Sequence, residues 1–288
     1  MVQPTTSDAV LFTGAHRLAT RPVPLPALGP RDLLVRTNLT AISATHAWSR
    51  LTGARAHLPG MTFPLIPGDA AVGTVVAVGA ALDATWHAAP VFVGTAQTPD
   101  GINAVRGVQQ SWLVTPIGAA VRVDGLEPER ALLLAPVGLA LHNLARAGMA
   151  AGARLAILGQ GVLGQTVARV ARSRGVAHIV VADASAYRLS LAVADQAVLV
   201  SVISSAVPAK DMPDIDLLVD TTGDAALVYA WSARVRPGGT LLLLGGYSRL
   251  DLAYLHDSPG GLGILLAAEP GGGAYVAARD MLSGDDFD

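Results

Sequence analysis

The sequence predicts an α/β chain in two domains, a β-rich domain over residues 1–125 and a doubly wound parallel sheet over residues 126–288. Three observations predict it. Up to about residue 125 the apolar residues fall in short runs punctuated by Gly and Pro, with little helical periodicity. From Leu126 onward, strand-like apolar runs alternate with helical patterns, the alternation of a parallel sheet. Within that second texture, Arg154-Leu-Ala-Ile-Leu-Gly-Gln-Gly-Val-Leu-Gly164 delivers three glycines from an apolar run into the start of a helix.

Each element follows from its residues. The apolar runs 9–12, 33–35 and 70–78 are expected strands. Residues 21–30 carry Pro22, Pro24, Pro26 and Pro30, which forbid a central strand and suggest an extended surface connection. Residues 94–107 form a polar loop. Residues 127–147 are compatible with a helix apart from Pro136 and Gly138. Residues 155–158 are expected as a buried parallel strand, and Leu163, Val167, Val170 and Ala171 recur at helical spacing behind it until Gly175 stops the helix. Residues 178–182 are a second strand. Residues 216–221 are expected as the fourth strand, 225–235 as a helix, 240–244 as the fifth strand and 264–268 as the sixth.

The three glycines are a dinucleotide fingerprint. Gly159 permits the tight turn, Gly161 lets the backbone approach a pyrophosphate and Gly164 lets helix and strand pack closely, with Val162 and Leu163 between them at the helix N-terminus. Asp183 ends the second strand about 20 residues after the fingerprint, where a carboxylate receives the ribose hydroxyls of NAD. A 2'-phosphate there meets like charge, so NAD is the expected cofactor. Arg188 can swing toward a phosphate, but beside Asp183 it is expected to pair with the carboxylate or cover the adenine.

Composition limits what else the chain does. With 20 basic and 22 acidic residues among 288 the net charge is −2, which argues against a nucleic-acid footprint or a polybasic membrane anchor. The absence of cysteine removes disulfides, thiol nucleophiles and every cysteine-containing zinc site. The N-terminus has neither a basic start nor an apolar h-region, so a cytoplasmic protein is expected. The longest apolar stretch, residues 131–141, is interrupted by Pro136 and too short for an integral membrane segment. The expected partners are a small-molecule substrate and, at most, a second copy of the chain in a homodimer.

The order of a β-rich lobe before a Rossmann lobe resembles the medium-chain dehydrogenase/reductase superfamily, on particular residues. Pro64-Leu-Ile-Pro-Gly-Asp-Ala-Ala-Val-Gly73 followed by Thr74-Val-Val-Ala-Val-Gly79 is similar to its signature leading from a GroES-like core. Asp220-Thr-Thr-Gly-Asp224 and Arg236-Pro-Gly-Gly-Thr240 are similar to its later Rossmann turns. Within the superfamily the closer resemblance is to the bacteriochlorophyllide a dehydrogenases, carried by Ala41-Ile-Ser43, Gly53, the unbroken run from Pro59 to Gly68, the segment from Leu132 to His142, and Gly245-Gly-Tyr247.

The resemblance implies a GroES-like domain followed by a Rossmann domain. It implies NAD-dependent oxidation of a 3-(1-hydroxyethyl) group on a chlorin macrocycle to 3-acetyl, in bacteriochlorophyll biosynthesis. It adds Thr222, Gly223 and Gly245 to the cofactor-binding residues. The zinc-dependent members hold their metal with a Cys, a His followed by Glu, and a further ligand. Here the matching places hold Ser43, Asp69 with Ala70, and about Ala135, so a zinc site with three protein ligands cannot be built and no metal is expected.

Without zinc, His46 is the candidate base, because an imidazole suits proton transfer near neutrality and the residue falls in the loop that faces the cleft of the resembled fold. Ser43 would orient the alcohol, and Asp69 would orient His46 or take the proton itself. Trp48 and Phe63 are the candidates to wall a macrocycle. The family usually has Gly-Thr-Glu where this chain has Thr45-His46-Ala47, and Tyr-Glu where it has Asp69-Ala70. It also carries a strand and helix beyond the last helix that return to the β-rich lobe, and from the resemblance that return is expected to be missing here. Two alternatives stay open: a zinc-free quinone or enone reductase of the same superfamily using NADPH, against which Asp183 counts, and a non-catalytic nucleotide-binding homologue, to which these departures point.

Overall fold

In the computed structural model, which describes residues 4–54, 56, 61–200, 214–247, 249–256, 261–284 and 287, the β-rich texture of the first half resolves into two sheets. The strands are β1 (Thr6–Gly14), β2 (Arg17–Pro24), β3 (Asp32–Ala41), β4 (Leu65–Ile66), β5 (Ala70–Val78), β6 (Pro90–Val93), β7 (Asn103–Ala104), β8 (Trp112–Pro116) and β9 (Ala120–Arg122). One sheet has the order β2-β1-β4-β7 and the other β8-β3-β5-β6-β9. Leu33, Val35, Val75, Val91, Val93 and Leu113 fill the core of the larger sheet, and Ala9, Leu11, Val23 and Ile66 that of the smaller. These elements belong to a unit formed by Met1–Ala135 and Tyr275–Ser283.

Two expectations for this half are corrected. Pro22 and Pro24 lie inside β2 and not in an extended connection, because β2 is an edge strand where a missing N–H breaks no ladder. Residues 44–51, expected among loops and strands, form helix α1 (Ala44–Leu51). Eight residues are too few for helical periodicity to stand out in a window of about 11–18. The start signal is Ser43, whose hydroxyl accepts the N–H of His46 at the N-cap. A further short helix, α2 (Pro128–Leu132), follows β9.

The second unit comprises Pro136–Ala274 with Gly284–Asp288. Helix α3 (Leu134–Arg146) leads into β10 (Arg154–Leu158), α4 (Val162–Ser173), β11 (His178–Asp183), α5 (Ala186–Ser190) and β12 (Gln196–Leu199), then β13 (Ile215–Asp220), α6 (Ala225–Ser232), β14 (Val235–Leu243), α7 (Arg249–His256) and β15 (Gly263–Leu266). The sheet is parallel with order β12-β11-β10-β13-β14-β15, the doubly wound order that reverses direction between β10 and β13.

The helical stretch before β10 breaks at Leu133, the C-cap of α2, and not at Pro136, which falls in the first turn of α3 where its missing N–H is not needed. Helix α6 ends three residues before its expected limit because Val235 already pairs with Ile215 as the start of β14. Trp231, Leu218, Leu241 and Val180 anchor one face of the sheet. Among the described residues no helix is long and apolar enough to cross a membrane.

A buried asparagine ties the edge of this sheet to α3. Asn143 is fully buried; its Nδ2 donates to the carbonyls of Leu139 (2.9 Å) and Ala268 (2.9 Å), and its Oδ1 accepts from Ala268 N–H (2.8 Å) and Arg146 (3.0 Å). Alanine at this position leaves the Ala268 groups without that partner and is expected to lower unfolding stability by about 2 kcal/mol. Urea denaturation checks it, and a loss below about 0.5 kcal/mol would show that water replaces the side chain.

Helix α8 (Gly272–Leu282) follows β15, and its residues from Tyr275 onward belong to the first unit. The Tyr275 ring packs 5.1 Å from Phe92 and its hydroxyl accepts from Arg106 at 3.0 Å, while Arg130 donates to the Leu282 carbonyl at 2.8 Å.

Candidate functional site

In the first unit, sheet register brings the predicted catalytic residues together. Ala41, the last residue of β3, pairs with Ala70, the first of β5, so the chain entering α1 and the chain entering β5 meet at one level. Asp69 occupies the second of these and His46 and Arg50 the first. Gly68 makes the approach possible: its backbone is left-handed (φ +105°), and a Cβ there would lie 2.8 Å from the Gln109 amide nitrogen.

His46 Nδ1 stands 3.2 Å from Asp69 Oδ2, and Arg50 Nη2 donates to Asp69 Oδ1 at 2.8 Å. His46 is half exposed, whereas Arg50 is buried. Burial alone would raise the Asp69 carboxyl, but the hydrogen bond from His46 and the charge of Arg50 outweigh it and hold the group at about 2. Asp69 is therefore a carboxylate throughout the range in which an imidazole titrates. Ser43 Oγ accepts the His46 backbone N–H at 3.5 Å, which leaves its own hydroxyl proton free to point elsewhere. Ser43, Ala47, Arg50 and Asp69 line a recess of about 10 Å³, the size of one water molecule.

Of the aromatic candidates, Trp48 points away from this group. A helix advances about 100° per residue, so Trp48 projects from the opposite side of α1 to His46. It is 64 % exposed, with its ring edge toward His16 at 5.9 Å. Phe63 is partly buried, and a Cβ on Gly53 would lie 3.3 Å from its ring. Sequence reasoning missed Arg50. Its signal is the four-residue spacing from His46, which becomes meaningful only once α1 is a helix.

In the second unit, parallel register sets the cofactor candidates along one edge. Leu158 pairs with Ala182 and with Asp220, and Asp220 pairs with Leu243, so Gly159, Asp183, Thr222, Gly223 and Gly245 all lie at or just beyond the C-terminal ends of adjacent strands. Gly159 has φ +86°, and a Cβ there would meet the Thr221 hydroxyl at 2.5 Å. A Cβ on Gly164 would run into the Gly159 carbonyl oxygen, whereas nothing lies within 4 Å of one built on Gly161. Gly161 is the N-cap of α4 and supplies no side-chain acceptor, so the N–H groups that begin with Val162 and Leu163 remain available to an anion.

Asp183 is buried; its Oδ2 accepts the Gln160 N–H at 2.6 Å and its Oδ1 the Ser185 N–H at 2.7 Å. Two carboxylate oxygens offer about four acceptor positions, so both ribose hydroxyls still find one. Arg188 is exposed and stands 3.9 Å from Asp183 Oδ2, paired with the carboxylate. These features fit a nicotinamide dinucleotide.

Asp220 and Tyr247 were not anticipated as a pair. Asp220 is fully buried and accepts from the Thr222 hydroxyl (2.5 Å), Thr222 N–H (3.1 Å), Gly223 N–H (2.8 Å) and the Tyr247 hydroxyl. Burial pushes its carboxyl above the ordinary value against those donors, and burial beside it pushes the Tyr247 phenol up as well. The phenol thus keeps its proton and donates, tying the turn after β13 to the turn after β14.

No family model matches the chain. It is 32 % identical over 250 residues to the 2-desacetyl-2-hydroxyethyl bacteriochlorophyllide A dehydrogenase of Cereibacter sphaeroides, a match spanning 84 % of this chain and 74 % of that one. The chain belongs to the medium-chain dehydrogenase/reductase family. As an oxidoreductase of that family it shares its fold with a Sinorhizobium meliloti 1021 protein provisionally described as a zinc-binding dehydrogenase, bound to NADP (TM-score 0.79, 20 % identity, 99 % of this chain and 90 % of that one). A short chain alcohol dehydrogenase of Escherichia coli CFT073, complexed with NADH, is similar over the same shares of the two chains, with TM-score 0.80 and 16 % identity.

Proposed function

We propose that this dehydrogenase oxidises the 3-(1-hydroxyethyl) group of a (bacterio)chlorophyllide to 3-acetyl with NAD and without a metal. The contact between His46 and Asp69, in a chain 32 % identical to a hydroxyethyl bacteriochlorophyllide dehydrogenase, carries the reading. When bound, NAD supplies the hydride acceptor. Asp69 accepts Nδ1–H and orients the ring, and His46 Nε2 takes the alcohol proton as the carbinol carbon gives up its hydride. The products are the ketone, the reduced dinucleotide and one proton.

Ser43 donates its hydroxyl proton to the alcohol oxygen and so aims it. Zinc does not fit these residues: both Asp69 oxygens are engaged, by Arg50 and His46, and the Ser43 hydroxyl already caps α1. Trp48 and Phe63 supply apolar surface to the macrocycle. Following NADH absorbance with a hydroxyethyl chlorin, beside simple alcohols and quinones, tests the reading. Turnover of the chlorin above the alcohols is expected; quinone reduction by NADPH without chlorin oxidation would replace it.

Cofactor choice rests on Asp183. A 2'-phosphate about 4 Å from its carboxylate, at an effective dielectric near 20, meets a repulsion on the order of 4 kcal/mol before screening. NAD is therefore expected to bind at least about tenfold more tightly than NADP, a gap that narrows or reverses in Asp183→Ser, where Arg188 is released toward the phosphate. Calorimetry giving equal or tighter NADP binding to the unmodified chain would overturn it.

A further inference from the structure

We propose that Arg50 is a positioning residue for proton abstraction, acting through Asp69 to keep the His46 proton on Nδ1 and leave Nε2 free to accept. The inference rests on the assignment of His46 as the base. His46 and Arg50 stand one turn apart on α1, and each reaches a different oxygen of Asp69, at 3.2 and 2.8 Å. The three differ in exposure, 54 % for His46, 16 % for Asp69 and 6 % for Arg50, so the permanent cation lies deepest and the imidazole outermost.

Charge decides what each can do. Without Arg50, Asp69 would be a largely dry carboxylate with His46 as its remaining charge partner, and it would draw a proton onto the ring to form an imidazolium. An imidazolium has no lone pair with which to accept the alcohol proton. With Arg50 in place the carboxylate already has its counter-charge. It then requires of His46 only a hydrogen bond from Nδ1, which is the tautomer a base needs. A guanidinium is also the right shape for this task, since it cannot be deprotonated and it meets the carboxylate at a fixed angle. The adjoining recess of about 10 Å³, lined by Ser43, Ala47, Arg50 and Asp69, offers a way in for a small cation once the arginine side chain is removed.

The test uses the full chain with NAD and a hydroxyethyl chlorin, in R50A, R50K, H46A and R50A/H46A. R50A is expected to lower kcat at least about 30-fold while the KM for NAD stays within about twofold, because the loss falls on the chemical step. Guanidinium chloride at tens of millimolar is expected to restore kcat about tenfold, and urea at the same concentration to restore nothing, which a merely structural role would not produce. R50K recovers part of the rate, and the double variant is no slower than H46A. R50A with kcat within about threefold of the unmodified chain, equal effects of guanidinium and urea, or a double variant well below H46A would each overturn the role of Arg50 while leaving His46 as the base. An H46A variant that keeps its rate overturns the base assignment and this inference with it. Should R50A fail to fold, the ¹⁵N spectrum of the His46 ring in R50Q decides: loss of the Nδ1–H neutral tautomer supports the proposal, and an unchanged tautomer overturns it.

Discussion

Replacing His46 by alanine is expected to lower kcat by about 10² to 10⁴-fold, the range over which a positioned general base accelerates proton transfer. The loss falls on kcat and on kcat/KM alike, because the proton moves only in the transition state, and the KM for NAD stays near its original value. The side chain is half exposed and makes its polar contact with Asp69, so its removal leaves the fold intact. Asp69→Asn separates orientation from proton transfer. The amide keeps the shape but can present its NH₂ to Nδ1, which favours the wrong tautomer, so the variant is expected to lose rate with His46 still present. Steady-state kinetics of the two variants check this. A fall in His46→Ala below about threefold would assign the proton to another group.

The second half of this molecule was more legible in its sequence than the first, for a physical reason. The strand 155–158, the glycines behind it and Asp183 are close in sequence and follow local rules, so a linear reading reaches them. Fully buried parallel strands announce themselves as unbroken apolar runs, as Ile179 to Ala182 and Leu217 to Val219 do. The proposed proton-transfer group is different. Asp69 meets His46 and Arg50 only because β3 and β5 pair in a register that sets Ala41 opposite Ala70, a fact of tertiary structure. Arg50 stayed hidden because its significance needs α1, a helix of eight residues, too short for its apolar spacing to stand out along the chain. Trp48 marks the opposite limit: two residues from His46 in sequence, it lies across the helix from it. Asp220 and Tyr247 are 27 residues apart and meet through the pairing of β13 with β14. The resemblance supplied their neighbourhood, and only the hydrogen bonds supplied the pair.

The fingerprint glycines should separate into one that the fold needs and one that the ligand needs. Gly164→Ala places a methyl group against the backbone carbonyl of Gly159, which no rotamer relieves, so the turn after β10 must open. A loss of about 1–3 kcal/mol in stability is expected, as for overpacking elsewhere in cores, together with loss of dinucleotide binding. Gly161→Ala differs in every respect that the ligand-free fold can feel. Its φ of −71° suits alanine and nothing lies within 4 Å of the added carbon, so thermal unfolding is expected within about 1 °C of the original. That same open space lies before the uncapped N–H groups of α4, where the pyrophosphate must approach the backbone. Filling it is expected to weaken NAD binding at least about 100-fold, or about 2.8 kcal/mol, in a protein that is otherwise unaltered. Calorimetric titration of NAD into Gly161→Ala, beside its melting curve, checks both halves at once. An unchanged affinity would show that the phosphates rest elsewhere, and a lowered melting temperature would show that Gly161 serves the fold.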